Sequence, residues 1–393
     1  MASFGNYLFH LLMGRFLGPE DYAVLASLTS FLYLGGVPSI AIVLTSARFA
    51  SSYKAKNELD KVKFFLLKVS QIFYLVGFLV FIIFVVAQKN LAHFLKIEES
   101  SLFAFLGGIF FFVLLTAANN GLLQGFQKFL FLSINSVLGV LFKLGLGVVL
   151  VLKGFGVGGA LMAFLVASFL PYVFSFYPLR FLFFVEVKKF EEKAFLKRVF
   201  SFAAPTFVSV LGLVLLYTMD VVLVKHFFSE FEAGLYSAVS VAGKVILFAS
   251  SPIISVMFPL VSESYTKKED FKRLFSLALL LILAISLSIA LVYFFFPRFV
   301  IWFFFGKQFL GASYLLGSFA IFIFLYTFCS AFVNFFLSIQ KTKIAFLPIA
   351  SSILQVVLIC FFHSTLSSVI FVSIFVSFLL LIGLGVFYLK MVK

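Results

Sequence analysis

The chain contains few charged residues. Asp, Glu, Lys and Arg together make up 11% of its 393 residues, whereas hydrophobic residues make up 63%. A soluble globular domain carries about 25% charged residues, and it could not keep this much apolar surface out of water. The scarcity of charge therefore excludes a soluble domain and predicts an integral membrane protein.

The chain also lacks the residues of several kinds of functional site. Its two cysteines, Cys329 and Cys360, lie within apolar runs and are predicted to be small buried residues rather than a disulfide or a metal pair. No glycine-rich phosphate loop is present, which excludes a self-contained ATP-driven pump. No His or Cys pair has the spacing of a metal site. We expect no cofactor, no metal and no enzymatic activity.

Long apolar segments are present instead. Charge-free runs cover 69–88, 100–127, 154–179, 199–219, 274–297, 308–340 and 344–389. About 20 apolar residues suffice for a helix to cross the hydrocarbon core, and a helix satisfies its own backbone hydrogen bonds in lipid. We therefore predict an all-α integral membrane protein with about twelve transmembrane helices, near 1–16, 22–49, 64–87, 102–125, 130–152, 155–182, 200–226, 234–262, 274–296, 312–338, 344–362 and 366–389.

An internal repeat relates the two halves at an offset of about 212 residues. Short polar motifs recur in the same order between apolar segments: 18–25, 51–60 and 124–128 match 230–236, 264–270 and 340–343. Because each half has an even number of helices, both halves begin on the same side of the membrane. Two six-helix bundles related by a pseudo-two-fold axis along the membrane normal are predicted, as is typical of transporters.

The distribution of Lys and Arg predicts the orientation. With both termini in the cytoplasm, the inner connections carry 21 of the 30 basic residues and the outer connections carry 7. This asymmetry follows the positive-inside rule for the cytoplasmic (inner) membrane. It also explains the net charge of +15 by contact with anionic membrane lipids, so we expect no nucleic acid as a partner.

Three parts of the chain follow from the repeat and the charges. Residues 1–185 are predicted to form the N-terminal bundle and residues 200–393 the C-terminal bundle. Between them, 186–199 mixes three glutamates with five basic residues. This composition predicts an amphipathic cytoplasmic linker helix at the membrane interface, and a segment that docks a partner is the alternative.

Several motifs resemble those of bacterial polysaccharide (Wzx-type) flippases, which belong to the multidrug/oligosaccharidyl-lipid/polysaccharide (MOP) exporter superfamily. They are GNYLFH at 5–10, RFLGPEDY at 15–22, TSAR at 45–48, DVVLVKHF at 220–227, AGLYSA at 233–238 and GKV at 243–245. The resemblance covers nearly the whole chain. Family members usually have a further stretch before the first helix, so the sequence leaves open whether its start is complete.

The resemblance implies alternating access through a V-shaped cavity between the bundles. The implied cargo is a lipid-linked oligosaccharide on a polyprenyl diphosphate, flipped from the inner to the outer leaflet for surface polysaccharide assembly. A monomer is expected, and association with the polysaccharide assembly machinery is left open. One alternative is a cation-coupled multidrug exporter of the same superfamily, which would favour acidic residues deep in the first bundle. Another is a membrane-embedded polysaccharide polymerase or ligase, which would need a larger outer loop.

A diphosphate-linked glycan needs fixed cations and hydrogen-bonding side chains in a wet cleft. A charge at membrane depth costs roughly 2.5–3.5 kcal/mol on insertion scales, so an intramembrane ionisable residue is a functional candidate. The alternatives are snorkelling, a positive-inside anchor, or a structural contact between helices. The predicted substrate-binding residues are Arg48, Asn119, Gln124, Lys143, Asp220 and Lys244.

The positions of these residues along the helices predict where two pairs of them lie relative to each other. Arg48 and Lys143 are predicted to line one cationic cleft in the first bundle. Asp220 and Lys244 are predicted to lie roughly 9 and 15 Å from the outer boundary at 1.5 Å per residue. At these depths they are expected either to form a salt bridge or to share a polar site, and a purely structural pair stays open.

Overall fold

A computed structural model describes residues 36–95, 97–186 and 192–392. From the first 35 residues it describes only positions 5, 6, 8, 9, 12, 13, 16, 17, 21, 24, 25, 28, 29 and 32. Much of the predicted helix near 1–16 and the first part of the one near 22–49 therefore lie outside the described residues. Every regular element in the described ranges is helical, as the apolar runs predict.

The chain divides into two compact units, residues 1–195 and 196–393. The first unit contains α1 (Gly36–Ala55), α2 (Leu59–Leu95), α3 (Leu102–Gly125), α4 (Phe129–Leu150) and α5 (Gly156–Leu179). The division falls within α6 (Glu192–Leu216), and the second unit continues with α7 (Met219–Phe227), α8 (Glu230–Gly243), α9 (Val245–Lys267), α10 (Phe271–Phe295), α11 (Pro297–Phe305), α12 (Ser313–Ser338), α13 (Phe346–Phe361) and α14 (Leu366–Val392). Residues 187–191 of the predicted linker lie outside the described ranges, so that linker stays a prediction.

Membrane-spanning length and hydropathy are present throughout. Within the described ranges, nine helical segments are long and apolar enough to cross a membrane. One of them covers 129–184, but Gly154 (φ 87°) and Gly156 (φ 50°) adopt backbone angles that favour glycine and separate α4 from α5. The protein is a multi-pass membrane protein.

Two predicted helices of the second unit are interrupted. The helix predicted near 200–226 breaks between α6 and α7, where the Thr218 hydroxyl donates to the carbonyl oxygen of Val214 at 2.7 Å and competes with the backbone ladder. The helix predicted near 234–262 breaks at Lys244 between α8 and α9. There the Tyr293 hydroxyl donates to the carbonyl oxygen of Ala242 at 2.8 Å, and a side chain inserted into the ladder is a known cause of a kink.

Four turns show the internal repeat in the backbone. The described residues other than glycine with positive φ are Asn57, Gln127, Lys268 and Gln340, at 57° to 64°. Each of these residues follows a helix. Its N–H donates a hydrogen bond to the carbonyl oxygen three residues before it, and the N–H of the next residue donates to the carbonyl oxygen five residues before that residue. This is the Schellman arrangement, and it occurs at two equivalent places in each half.

The turns correct one of the sequence matches. Asn57 and Lys268 are 211 residues apart, and Gln127 and Gln340 are 213 apart. The match of Gln124 with Gln340, at 216, is therefore three residues out of register. The common backbone geometry pairs Gln127 with Gln340 instead, since a hydrogen-bonded turn constrains register more strongly than the identity of one polar side chain.

Small residues allow close helix packing in each unit. A Cβ atom added at Gly121 of α3 would lie 2.5 Å from the Val43 carbonyl oxygen of α1. In the second unit, a Cβ atom at Gly212 of α6 would lie 2.4 Å from the Ile349 nitrogen of α13. Such backbone contact is typical of helix packing within membranes.

The two cysteines lie in different surroundings. Cys329 is buried, as predicted, and its thiol lies 3.3 Å from the Ser377 carbonyl oxygen. The prediction that Cys360 is buried is wrong, because that side chain is exposed. It continues a stripe on α13 formed with Ile353 and Val357, which are also exposed and occupy the same helix face.

Candidate functional site

A cavity of about 490 Å³ with a mostly apolar lining lies within the first unit. Residues from α1, α3, α4 and α5 line it, together with Asn6. Its polar lining consists of Asn6, Ser39, Thr116, Asn120, Asn135, Ser136, Lys143 and Ser168. None of the described lining residues is acidic, so the cavity combines one cation with amide and hydroxyl groups.

Lys143 supplies the positive charge of this cavity. The side chain is only 7% exposed, and its ammonium contacts the Asn6 Oδ1 atom. The same ammonium lies 4.6 Å from the ring centre of Phe164 and 4.9 Å from that of Phe9. Ring faces attract cations, but they do not neutralise the charge. The site can therefore attract an anion.

Two asparagines provide hydrogen-bonding groups beside Lys143. The Asn135 Nδ2 atom donates to the Asn120 Oδ1 atom at 2.8 Å. The Asn135 Oδ1 atom is buried and has no hydrogen-bond partner among the described residues. An unpartnered buried acceptor costs about 1–3 kcal/mol, and a hydroxyl donor on a ligand would satisfy it. Neither asparagine is among the site residues predicted from the sequence.

Three predicted site residues lie outside this cavity. Arg48 is buried on α1 but does not line the cavity, so this cavity does not bring it together with Lys143, and their common cleft stays a prediction. At 100° per residue, Arg48 lies about 140° around α1 from Val43, which does line the cavity. Asn119 is fully buried, and its Nδ2 atom donates to the Ser175 hydroxyl at 2.8 Å. Gln124 is also buried.

A separate polar cluster in the second unit contains Asp220 and Lys244. Asp220 is fully buried and accepts a 2.8 Å hydrogen bond from the Tyr236 hydroxyl at its Oδ2 atom. The backbone N–H groups of Asp220 and Val221 also act on this carboxylate. The Lys244 ammonium lies 5.3 Å from the Tyr217 ring centre, and that ring packs edge-on against Tyr326 with centres 5.3 Å apart.

The structure places Asp220 and Lys244 close together without a salt bridge. The two charges interact electrostatically, but no ion pair within 4.0 Å joins them among the described side chains. Tyr236 is the hydrogen-bond partner of the carboxylate instead. The structure therefore shows no direct bridge between the two side chains, and their membership of one polar binding site stays a prediction.

Lys128, in the turn outside the spans, secures the end of α5. Its Nζ atom donates to the Pro178 carbonyl oxygen at 2.5 Å and lies 4.2 Å from the Phe181 ring centre. Partial burial, and then repulsion from Arg180, lower the pKa of Lys128. Cations favour the carbonyl end of a helix, so this basic residue has a structural role.

The family model for "polysaccharide biosynthesis protein" matches residues 12–314, which is well over half of the chain. The chain belongs to this family. Among curated proteins, none matches it. The predicted resemblance to polysaccharide exporters of the MOP superfamily is thereby confirmed.

Solved structures similar to this family member establish its fold. An outward-facing multidrug resistance MATE family transporter of the MOP superfamily has a TM-score of 0.82 at 16% identity, covering 98% of this chain and 91% of its own. A MATE structure in complex with MaL6 has a TM-score of 0.79 at 15% identity, covering 98% and 93%. A MOP superfamily transporter from Pyrococcus furiosus has a TM-score of 0.79 at 14% identity, covering 100% and 94%.

These comparisons confirm the predicted fold class, an all-α membrane protein with two bundles of transmembrane helices. The solved structures are those of transporters, and the likeness to them shows the fold. We therefore interpret the cavity around Lys143 as a candidate binding site in a member of the polysaccharide biosynthesis family.

Proposed function

We propose that the protein flips a polyprenyl-diphosphate-linked oligosaccharide from the inner to the outer leaflet of the cytoplasmic membrane by alternating access. Membership of the polysaccharide biosynthesis family supports a glycan cargo, and the MOP-superfamily fold supports transport. The observation that carries the proposal is the cationic cavity around Lys143, in which no described lining residue is acidic.

The cavity offers what the two parts of this cargo need. A diphosphate oxygen can accept charge-assisted hydrogen bonds from the Lys143 ammonium, and such bonds are the stronger ones in proteins. Glycan hydroxyls can donate to the unpartnered Asn135 Oδ1 atom and exchange hydrogen bonds with the other polar lining groups. The lipid tail can remain in the bilayer while the polar head crosses.

The charge of the cavity disfavours the alternative function, cation-coupled export of drugs. A cationic drug or coupling ion at this place would be repelled by Lys143 and would find no carboxylate among the described lining residues. The similar transporter from Pyrococcus furiosus is described as having a reversed polarity of its binding pocket that suggests a different function. By analogy, we propose that a cationic pocket marks an anionic cargo here.

Replacing Lys143 by glutamine is the direct test. Removing a hydrogen bond to a charged group costs about 2 kcal/mol, or roughly a thirtyfold loss of affinity. We expect translocation of a polyprenyl-diphosphate oligosaccharide by reconstituted Lys143→Gln protein to fall by this order. Lys143→Arg retains the charge and should retain more activity.

Lys153 provides a matched control because it is exposed in the turn after α4. Lys153→Gln should leave translocation unchanged. Equal protein levels and unchanged thermal unfolding must accompany the loss in Lys143→Gln. Full translocation by Lys143→Gln would rule out a role for this charge. If the wild type translocates no glycan but exports cationic drugs, the alternative function, a multidrug exporter, would be favoured.

We propose that both termini lie in the cytoplasm, from the 21-to-7 distribution of basic residues. Reporter fusions after Asn57, Glu192 and Thr266 should then be cytoplasmic. Fusions after Asn90 and Glu230 should be external. A consistent reversal of these five readings would refute the orientation.

A further inference from the structure

The short helix α11 was not predicted from the charge-free runs. It contains nine residues, Pro297–Phe305, and is about 13 Å long at 1.5 Å per residue. The hydrocarbon core is about 30 Å thick, so α11 cannot cross it. It lies in the chain between two segments that can cross, α10 and α12.

This helix has two apolar faces. Val300 and Ile301 are buried and pack α11 into the second unit. Phe299, Trp302 and Phe303 are 58%, 48% and 66% exposed, and their spacing of three and four residues places them on one face. The Phe299 ring centre lies 6.3 Å from that of Trp302 and 6.0 Å from that of Phe303, so the outward face is a continuous aromatic surface.

The aromatic surface extends along the chain and has cations at its ends. Phe294, Phe295 and Phe296 at the end of α10 are each more than 60% exposed. Arg298, the second residue of α11, and Lys307, two residues beyond its end, are exposed and form no ion pair with a described acidic residue. A large exposed apolar patch marks an interaction surface, and this one combines rings with unneutralised positive charge.

A lipid headgroup layer matches this combination better than a protein partner does. Interfacial helices place aromatic and aliphatic residues at the acyl boundary and basic residues toward anionic headgroups. Tryptophan is enriched at this depth in membrane proteins. Because α11 directly follows the end of one spanning segment, its distance along the chain from the bilayer core is short.

We propose that α11 is an interfacial anchor, in which Phe299, Trp302 and Phe303 insert among lipid chains while Arg298 and Lys307 bind lipid phosphates. The anchor lies at the end of α10 opposite the Lys268 turn, which is the outer leaflet in the proposed orientation. It would position the second unit at a defined depth. This inference does not depend on the cargo.

Trp302 makes the proposal directly measurable because it is the single tryptophan of the chain. The full-length protein is reconstituted in nanodiscs of phosphatidylcholine and phosphatidylglycerol, and Trp302 emission is recorded. Bromine atoms, which quench tryptophan on contact, are placed either near the headgroup end or near the terminal end of the acyl chains. We expect greater loss of emission with bromine near the headgroup.

A matched variant calibrates the depth. Trp302→Phe combined with Leu280→Trp moves the fluorophore to an exposed position near the middle of α10, where bromine near the chain end should quench more. The anchor is refuted if Trp302 behaves like this variant, or if neither lipid quenches it, which would place it in water or against protein. If Arg298 and Lys307 bind lipid phosphates, a larger share of anionic phosphatidylglycerol should increase the quenching of Trp302. Arg298→Gln combined with Lys307→Gln should reduce this increase. An unchanged increase would refute the phosphate contacts.

Discussion

Replacing Gly212 by alanine is expected to destabilise the second unit strongly. The added Cβ atom would stand 2.4 Å from the Ile349 nitrogen and 2.6 Å from the Pro348 carbonyl carbon. Both contacts are with backbone, which cannot rotate away as a side chain can. Overpacking of this kind costs roughly 3 kcal/mol. We expect a clear fall in the thermal unfolding midpoint of the purified protein and a reduced yield of folded protein.

Gly385 of α14 provides the control for the same substitution. No atom lies within 4 Å of a Cβ added there, and alanine favours a helix over glycine by about 1 kcal/mol. Gly385→Ala should therefore leave the unfolding midpoint unchanged or raise it. Equal midpoints for the Gly212 and Gly385 variants would show that α6 and α13 do not pack as closely as the structure indicates.

Removing one member of the Asp220–Lys244 pair is expected to have the second large effect. Asp220 is fully buried, and Lys244 is the cation that interacts with it. The two charges interact without forming an ion pair, and coupled neighbouring residues show interaction energies of about 0.5–3 kcal/mol. Asp220→Asn and Lys244→Met should each lower stability, and the double variant should lose less than the sum. Additive losses in this double-mutant cycle would show that the two charges are not coupled.

Exchanging the two charges separates a structural role from a transport role. We propose that Lys244 contacts the cargo diphosphate during part of the cycle, as the charged polar cluster allows. Asp220→Lys with Lys244→Asp should then recover stability without recovering translocation. Full recovery of translocation would make the pair purely structural.

The positions of the spans were predictable because they depend on local composition. Apolar length and charge placement gave correct helices at 102–125 and 312–338, which the structure places at Leu102–Gly125 and Ser313–Ser338. The interruption at Lys244 was not predictable in this way, because it depends on the contact of Tyr293 with Ala242, which are 51 residues apart in the chain. For α11 the sequence did contain a signal, because Pro297 is its first residue and proline is favoured at the first position of a helix. This signal was missed because the helices were located from charge-free runs alone.

The candidate site was also only partly predictable, because composition identifies a charged residue in an apolar segment but does not give the direction in which each side chain points from its helix. Lys143 could be selected because it is a charged residue inside an apolar segment. Which of Asn119 and Asn120 faces the cavity depends on a rotation of about 100° about the helix axis, and the neighbouring helices decide it. Asn120 lines the cavity whereas Asn119 bonds Ser175. Polar residues in adjacent positions therefore cannot be assigned without the packing.

The isolated positive charge of Lys143 has an electrical consequence for the proposed cycle. A membrane potential performs work of about 2.3 kcal/mol per elementary charge per 100 mV. The diphosphate crosses the whole field, whereas Lys143 stays on its helix and is displaced only as far as the helix moves. An interior-negative voltage would thus favour the loaded outward step, and any inward displacement of Lys143 during the empty return would be favoured by the same voltage.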